Sequence, residues 1–280
     1  MLQITALMEN QMSENKALTA QHGLSLYVVA NGVPFLFDCG AGPAVMANAR
    51  RMGLDLNAVQ FTILSHSHYD HAAGFRDMAE AGYGGATLMT GPDFFHKKYA
   101  RDGMRFTDLS AGFDEAFLSR HGIGHTVCSS TMEILPGVYL VADFARRCPF
   151  ETIPERFVTD FPAHPVPDDF HDEICLVADS AEGLVLVVGC SHPGIVNMVE
   201  SVRERFGKPV YAVLGGTHLV EADESRVHAT VDRLVGAGVR MLAPDHCSGS
   251  AAESIIREDG RVECFRLSVG DSTAFPLATV

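Results

Sequence analysis

The hexapeptide His66-Ser67-His68-Tyr69-Asp70-His71 follows directly on the apolar run Phe61-Thr62-Ile63-Leu64, so three imidazoles and a carboxylate crowd the end of one short buried strand. Side chains at i and i+2 of an extended segment point the same way, which lets His66 and His68 grip one cation. Asp70 and His71 lie past the strand end and can face a second. Packing alone explains the cluster poorly, because gathered imidazoles and a carboxylate carry a desolvation cost unless something cationic or hydrogen-bonding offsets it. Neutral imidazole and carboxylate suit Zn, Fe and Mn, and no thiolate lies within the hexapeptide to favour a softer ion.

The surrounding pattern is α/β. Short apolar runs at 24–30, 34–37, 61–64, 86–89, 174–178, 184–188, 210–214 and 239–243 read as buried strands. Helical stretches are expected at 43–52, 71–81, 193–206, 224–235 and 250–257, several of them a few residues after a strand. Asn31-Gly32 and the turn 180–183 mark hairpins, so the sheets are mixed. From about 90 to 172 the chain is rich in Phe, Gly, Pro and charge, with strands expected only at 132–143 around Pro136-Gly137. This stretch is expected to be an insertion or lid within a single domain spanning 1–280.

With 47% hydrophobic and 20% charged residues over 280 positions, the chain can bury a substantial core. A formal charge of −14 argues against nucleic-acid and anionic-membrane partners while leaving room for a local cationic pocket. Seven scattered cysteines do not form a disulfide framework, and no segment has the character of a signal peptide or membrane span. A cytoplasmic location is the expectation; a homo-oligomer is compatible with the sequence.

Polar residues collect where apolar strands end in glycine-bearing turns: Asp38-Cys39-Gly40, Gly189-Cys190-Ser191-His192, Gly215-Gly216-Thr217-His218 and Asp245-His246-Cys247-Ser248-Gly249. Such strand ends are where α/β proteins gather a site. Pro193 suits the first turn of a helix capped by Ser191 or His192, whose free N–H groups could hold a phosphate or carboxylate. Ser250 and Glu253 have capping-box spacing. The basic stretch 94–105, with Lys97, Lys98, Arg101 and Arg105, is either a solvated helix or a lid for an anionic substrate.

The HxHxDH motif after a strand, the preceding Asp38-Cys39-Gly40 and the later strand-end histidines resemble the metallo-β-lactamase superfamily. Within it, Glu9-Asn10, His22 to Leu26, Pro136 to Leu140, Gly189 to Asn197, Gly215 to Leu219 and Pro244 to Gly249 are similar to the subgroup containing 7,8-dihydropterin-6-methyl-4-(β-D-ribofuranosyl)aminobenzene 5'-phosphate synthase and related metal-dependent hydrolases. The resemblance implies an αββα sandwich of two mixed β-sheets flanked by helices, with two divalent ions, Zn or else Mn or Fe, at one edge. It matches His66 and His68 to the first metal, Asp70, His71 and His246 to the second, and Asp38 to a carboxylate that orients a ligand imidazole.

Superfamily hydrolases usually add a histidine from a Thr-Pro-Gly-His turn and a bridging aspartate from a Gly-Asp; both are absent here. His192 is expected to complete the first sphere, with Asp169 or His171 next and Cys190 last, as a thiolate bridge. His218 is expected to bind a substrate phosphate or donate a proton, and Asp70 to orient a metal-activated water. The remaining histidines, 22, 96, 121, 125, 164 and 228, are assigned structural or surface places. The implied activity is hydrolysis of a small anionic, phosphate-containing ester. A pyrophosphate-releasing transferase and a catalytically silent metal-binding domain are the alternatives.

Overall fold

The computed structural model describes residues 1–159 and 165–278. Two seven-stranded sheets face each other. In order of neighbouring strands across the sheet, the first runs Ser272–Phe275, Leu2–Met8, Ser25–Ala30, Val33–Phe37, Phe61–Ile63, Thr87–Thr90, Gly124–Val127. The second runs Glu263–Cys264, Met241–Asp245, Val210–Gly216, Leu184–Val188, Cys175–Asp179, Val138–Val141, Thr131–Leu135.

Alternation sorts the side chains. Ile4, Leu26, Val28, Phe35, Phe37 and Ile63 from one sheet meet Leu140, Leu176, Val185, Val187 and Leu214 from the other in a central apolar layer. The opposite strand faces are also apolar because helices cover them: Ala44–Met52 and Tyr69–Glu80 on the first sheet, and Ile195–Phe206, Glu224–Gly236 and Ser250–Asp259 on the second. The result is the expected αββα sandwich. Both predicted hairpins form, pairing 25–30 with 33–37 and 175–179 with 184–188 in antiparallel register.

In each sheet four neighbouring strands run parallel, Gly124–Val127 completing the set in the first and Glu263–Cys264 in the second. Val33–Phe37, Phe61–Ile63 and Thr87–Thr90 do so in one, and Leu184–Val188, Val210–Gly216 and Met241–Asp245 in the other. The carboxyl ends of these strands deliver Asp38, His66, Cys190, His192, His218 and His246 to a common edge. A residue with a side chain at Gly189 would run into the Ser65 hydroxyl, so glycine there lets the two sheets' strand ends meet.

The stretch 90–172 is built differently from a single insertion. Gly124–Val127, Thr131–Leu135 and Val138–Val141 are strands of the main sheets, while Lys98–Asp102, Arg105–Asp108, Phe157–Thr159 and Val166–Pro167 form a separate four-stranded sheet. The basic stretch is therefore a β-hairpin rather than a helix. Register pairs Tyr99 with Asp108 and Arg101 with Phe106, so aromatic and charged side chains share one face of the ribbon, while Lys98 turns to the other and is buried. Among the described residues, no helix is long and apolar enough to cross a membrane.

Candidate metal centre

His68, five residues past strand Phe61–Ile63, is extended and is the N-cap of helix Tyr69–Glu80, placing Asp70 and His71 in the first helical turn. The helix begins two residues before the position read from the sequence. His66, His68 and His192 bring nitrogen atoms within 4.8 Å of one another. All three are buried, and His66 Nε2, His68 Nε2 and both ring nitrogens of His192 have no hydrogen-bond partner. Burial holds all three imidazoles well below their ordinary pKa, so they are neutral and keep lone pairs available.

The second group is knit by hydrogen bonds. His71 Nδ1 meets Asp38 Oδ2 at 2.7 Å, and Asp38 also accepts from the Ser65 amide and hydroxyl. The far side of His71 faces His246 Nε2 at 3.0 Å and Cys190 Sγ at 3.1 Å. Asp70 Oδ2 lies 3.3 Å from His246 Nε2 and 3.8 Å from His71 Nε2. Burial opposes charge on His71, yet Asp38 and Asp70 outweigh it and push its pKa up to about 9. Burial drives His246 down to about 4. The surrounding carboxylates therefore favour positive charge beside the two facing ε nitrogens.

Backbone strain accompanies this convergence. Asp38, Phe170, Ser191, His218 and His246 all have positive φ, and hydrogen bonds hold the turns. Glu173 accepts from the amides of Ser191 at 2.5 Å and His192 at 2.9 Å. Glu9 accepts from the His246 amide, while Asn10 meets His246 Nδ1 at 3.0 Å. Phe170 stacks on the His192 ring at 3.7 Å. Behind it, buried Lys98 bonds Asp168 at 2.7 Å and Asp172 at 2.8 Å, and Asp172 in turn accepts from the Ser67 amide.

Several expectations need correction. Asp169 and His171 are exposed and outside the cluster, with His171 turned 2.8 Å to Asp93. The turn that carries them buries Asp168, Phe170 and Asp172 instead, so the alternate positions face solvent. Lys98, read as part of an anion-binding lid, is buried between two carboxylates. The helix N-terminus after Pro193 is already filled: helix Ile195–Phe206 has Gly194 as its cap, and Glu151 accepts from the amides of Val196 and Asn197, both at 2.8 Å. Ser250 and Glu253 make no capping box; Gly249 is the cap and Glu253 pairs with Arg257 and Arg266.

His22, assigned a surface place from the sequence, reaches the centre through its Nε2, 3.1 Å from Asp70 Oδ2. Together with Asp70 and His246 it makes a further compact donor group. Its signal was its position in the resemblance-bearing segment 22–26, as was that of Glu9-Asn10. His121, His125 and His228 bond Phe117, Thr90 and Glu224 away from the cluster, and His164 lies outside the described residues. The cluster opens into a cavity of about 430 Å³ bordered by Tyr69, Arg156, Phe157, His218 and Val220.

Residues 18–182 match the family model of the metallo-beta-lactamase superfamily. The chain belongs to this superfamily. Within the superfamily it is 28% identical over 285 residues to the 7,8-dihydropterin-6-methyl-4-(beta-D-ribofuranosyl)-aminobenzene-5'-phosphate synthase of Methanocaldococcus jannaschii, covering 98% of this chain and 97% of the synthase. The crystal structure of Tm1679, a metal-dependent hydrolase of the superfamily, superposes with a TM-score of 0.83 at 25% identity, covering 99% of this chain and 100% of that one. Zn(2+)-bound PqqB from Methylobacterium extorquens shares the fold at 13% identity and TM-score 0.57, covering 98% and 100% of the two chains. The unpartnered, buried, neutral imidazole nitrogens suit a divalent ion, the cofactor typical of the superfamily.

Proposed function

We propose that this protein is a metal-dependent hydrolase of a small anionic, phosphate-containing ester, working with two divalent ions, zinc above all. The observation that carries the reading is the cavity in which orphaned imidazole nitrogens and an arginine face the same space. His66, His68 and His192 would hold one ion; Asp70, His71 and His246 would hold the other. Bound divalent ions supply an activated water at neutral pH and polarise the scissile oxygen.

The chain's own groups do the rest. Asp38 fixes the His71 ring through Nδ1, so that Nε2 is the atom presented. Asp70, anchored by His22 and His246, is placed to orient the attacking oxygen. Burial lowers the pKa of His218, making it a neutral hydrogen-bond partner for a substrate oxygen rather than a fixed cation. Among the described residues that line the cavity, Arg156 is the permanently charged cation, seated over Phe157 and paired with Glu221. Its guanidinium suits a phosphate. On this reading anion recognition would fall to Arg156 instead of the basic hairpin.

Near-full-length similarity to the synthase supports a second reading, a transferase that releases pyrophosphate as an aromatic acceptor replaces water. Protein purified without chelator should carry metal, and phosphomonoesters or phosphodiesters should be hydrolysed in a screen that also includes lactones and thioesters. His68→Ala should reduce that turnover below detection. Pyrophosphate release from a pterin donor with no ester hydrolysis would favour the transferase; less than about one equivalent of tightly held ion would favour a silent domain.

A further inference from the structure

Strands Leu184–Val188 and Met241–Asp245 flank strand Val210–Gly216, and the turns after the outer two reach over the tip of the middle one. Gly216 donates its amide to the Gly189 carbonyl at 2.9 Å and pairs in register with Asp245. A Cβ there would lie 2.6 Å from Cys247 Sγ and 3.3 Å from the Cys190 Cα, so the missing side chain lets the two cysteines come together. The Cys247 thiol donates to the Cys190 carbonyl at 3.6 Å, and the two sulfurs lie within 4.8 Å of each other. A disulfide is about 2.0 Å long, which leaves under about 3 Å to close by side-chain rotation. Both cysteines are free, and both border the cavity over the metal centre, Cys190 buried and Cys247 half-buried. The other five cysteines lie away from that cavity.

We propose that Cys190 and Cys247 form a redox modification site, closed to a disulfide by a peroxide that enters through the cavity. Cys247, the less buried thiol, reacts first: its sulfur bonds one peroxide oxygen, the O–O bond breaks, and the other oxygen leaves as water with the thiol proton. Cys190 then attacks the sulfenic sulfur of Cys247, forming the S–S bond and expelling a second water with its own proton. Two thiols are oxidised and one peroxide is reduced to two waters. The bond ties the turn that carries His192 to the turn that carries His246, one histidine from each donor group, and draws Cys190 Sγ from its place 3.1 Å from His71 Nε2. Oxidation therefore disturbs cation binding at the cluster and reduction restores it. This consequence rests on the cluster binding a cation, as proposed above, and not on which ester is cleaved.

Stoichiometric hydrogen peroxide added to the chelated full-length protein tests this by thiol counting and peptide mass mapping. The wild-type protein should lose two of its seven thiols and yield one cross-linked peptide pair carrying positions 190 and 247, both changes reversed by dithiothreitol. Cys190→Ser should stop at a sulfenic acid on Cys247, captured by dimedone. The oxidised wild-type protein should bind zinc roughly 10-fold or more weakly than the reduced protein, and dithiothreitol should restore the affinity. Unchanged thiols, a cross-link between other cysteines, or a sulfinic acid on Cys247 in place of the disulfide overturns the proposal. A 190–247 disulfide that leaves zinc affinity unchanged overturns its link to the metal centre. The cross-link in a protein that binds no zinc when reduced would uphold the thiol pair while rejecting the metal-dependent reading; tight zinc binding without the cross-link would do the reverse.

Discussion

The two halves of the metal centre are buried to the same degree but held by opposite means. His66, His68 and His192 face one another as neutral rings with unanswered nitrogens, gripped from outside by Phe170, Glu173 and Asp172. Asp70, His71 and His246 are joined directly to one another, and His71 to Asp38; Asp70 and His71 retain charge while His246 is neutral. A triad without internal bonds depends on its scaffold for shape, whereas the second group carries much of its own order. The scaffold of the triad comes largely from the separate small sheet and the turn at 168–173.

The largest effect should therefore follow from removing the cation behind the triad. Lys98→Met leaves Asp168 and Asp172 buried without their partner, a change that typically costs about 3–5 kcal/mol. Denaturant unfolding should show that loss, and metal analysis should show it falling mainly on the triad. A variant with wild-type stability and full metal content would mean that the triad keeps its shape unaided.

Asp38 tests whether the halves are separable at all. Its carboxylate touches His71 on one side and Ser65 on the other, and Ser65 Oγ contacts His66 Nδ1 at 3.0 Å. Asp38→Asn is expected to weaken metal binding by roughly 10–100-fold, as is usual when the partner of a ligand imidazole is changed. Competition with a chromophoric chelator should show both positions affected. Weakening at the second position alone would sharpen the contrast and remove Ser65 as a link between them.

The sequence made the second half easier to see than the walls of the first. Four donors in six residues after an apolar strand cannot be packed cheaply, and strand-end histidines at 192 and 246 belong to the same α/β grammar. Phe170, Glu173 and Lys98 carry no such local signal, since a phenylalanine, a glutamate and a lysine are commonplace until a fold brings them behind a ligand. Asp169 and His171 show the converse error. Both have metal-binding chemistry, but in a turn alternate residues face opposite ways, and it is 168, 170 and 172 that turn inward. The strands at 2–8 and 272–275 went unread; they pair with each other across the length of the chain, and 2–8 also pairs with 25–30.

The same contrast predicts opposite responses to pH in metal-free protein. For His192, burial lowers the folded pKa below the ordinary 6.5, so its contribution is fully present above that value and is lost as pH falls. For His71, Asp38 and Asp70 overcome the burial penalty and raise the folded pKa to about 9, so its contribution is fully present below 6.5 and is lost as pH rises through about 9. Each effect is bounded by one proton, or about 1.4 kcal/mol per pH unit. Thermal unfolding of chelated wild-type protein should fall relative to His192→Asn between pH 7 and 5, and relative to His71→Asn between pH 7 and 10. Equal signs for the two differences would show that the halves share one electrostatic environment, and the division between a neutral triad and a charge-compensated group would then fail.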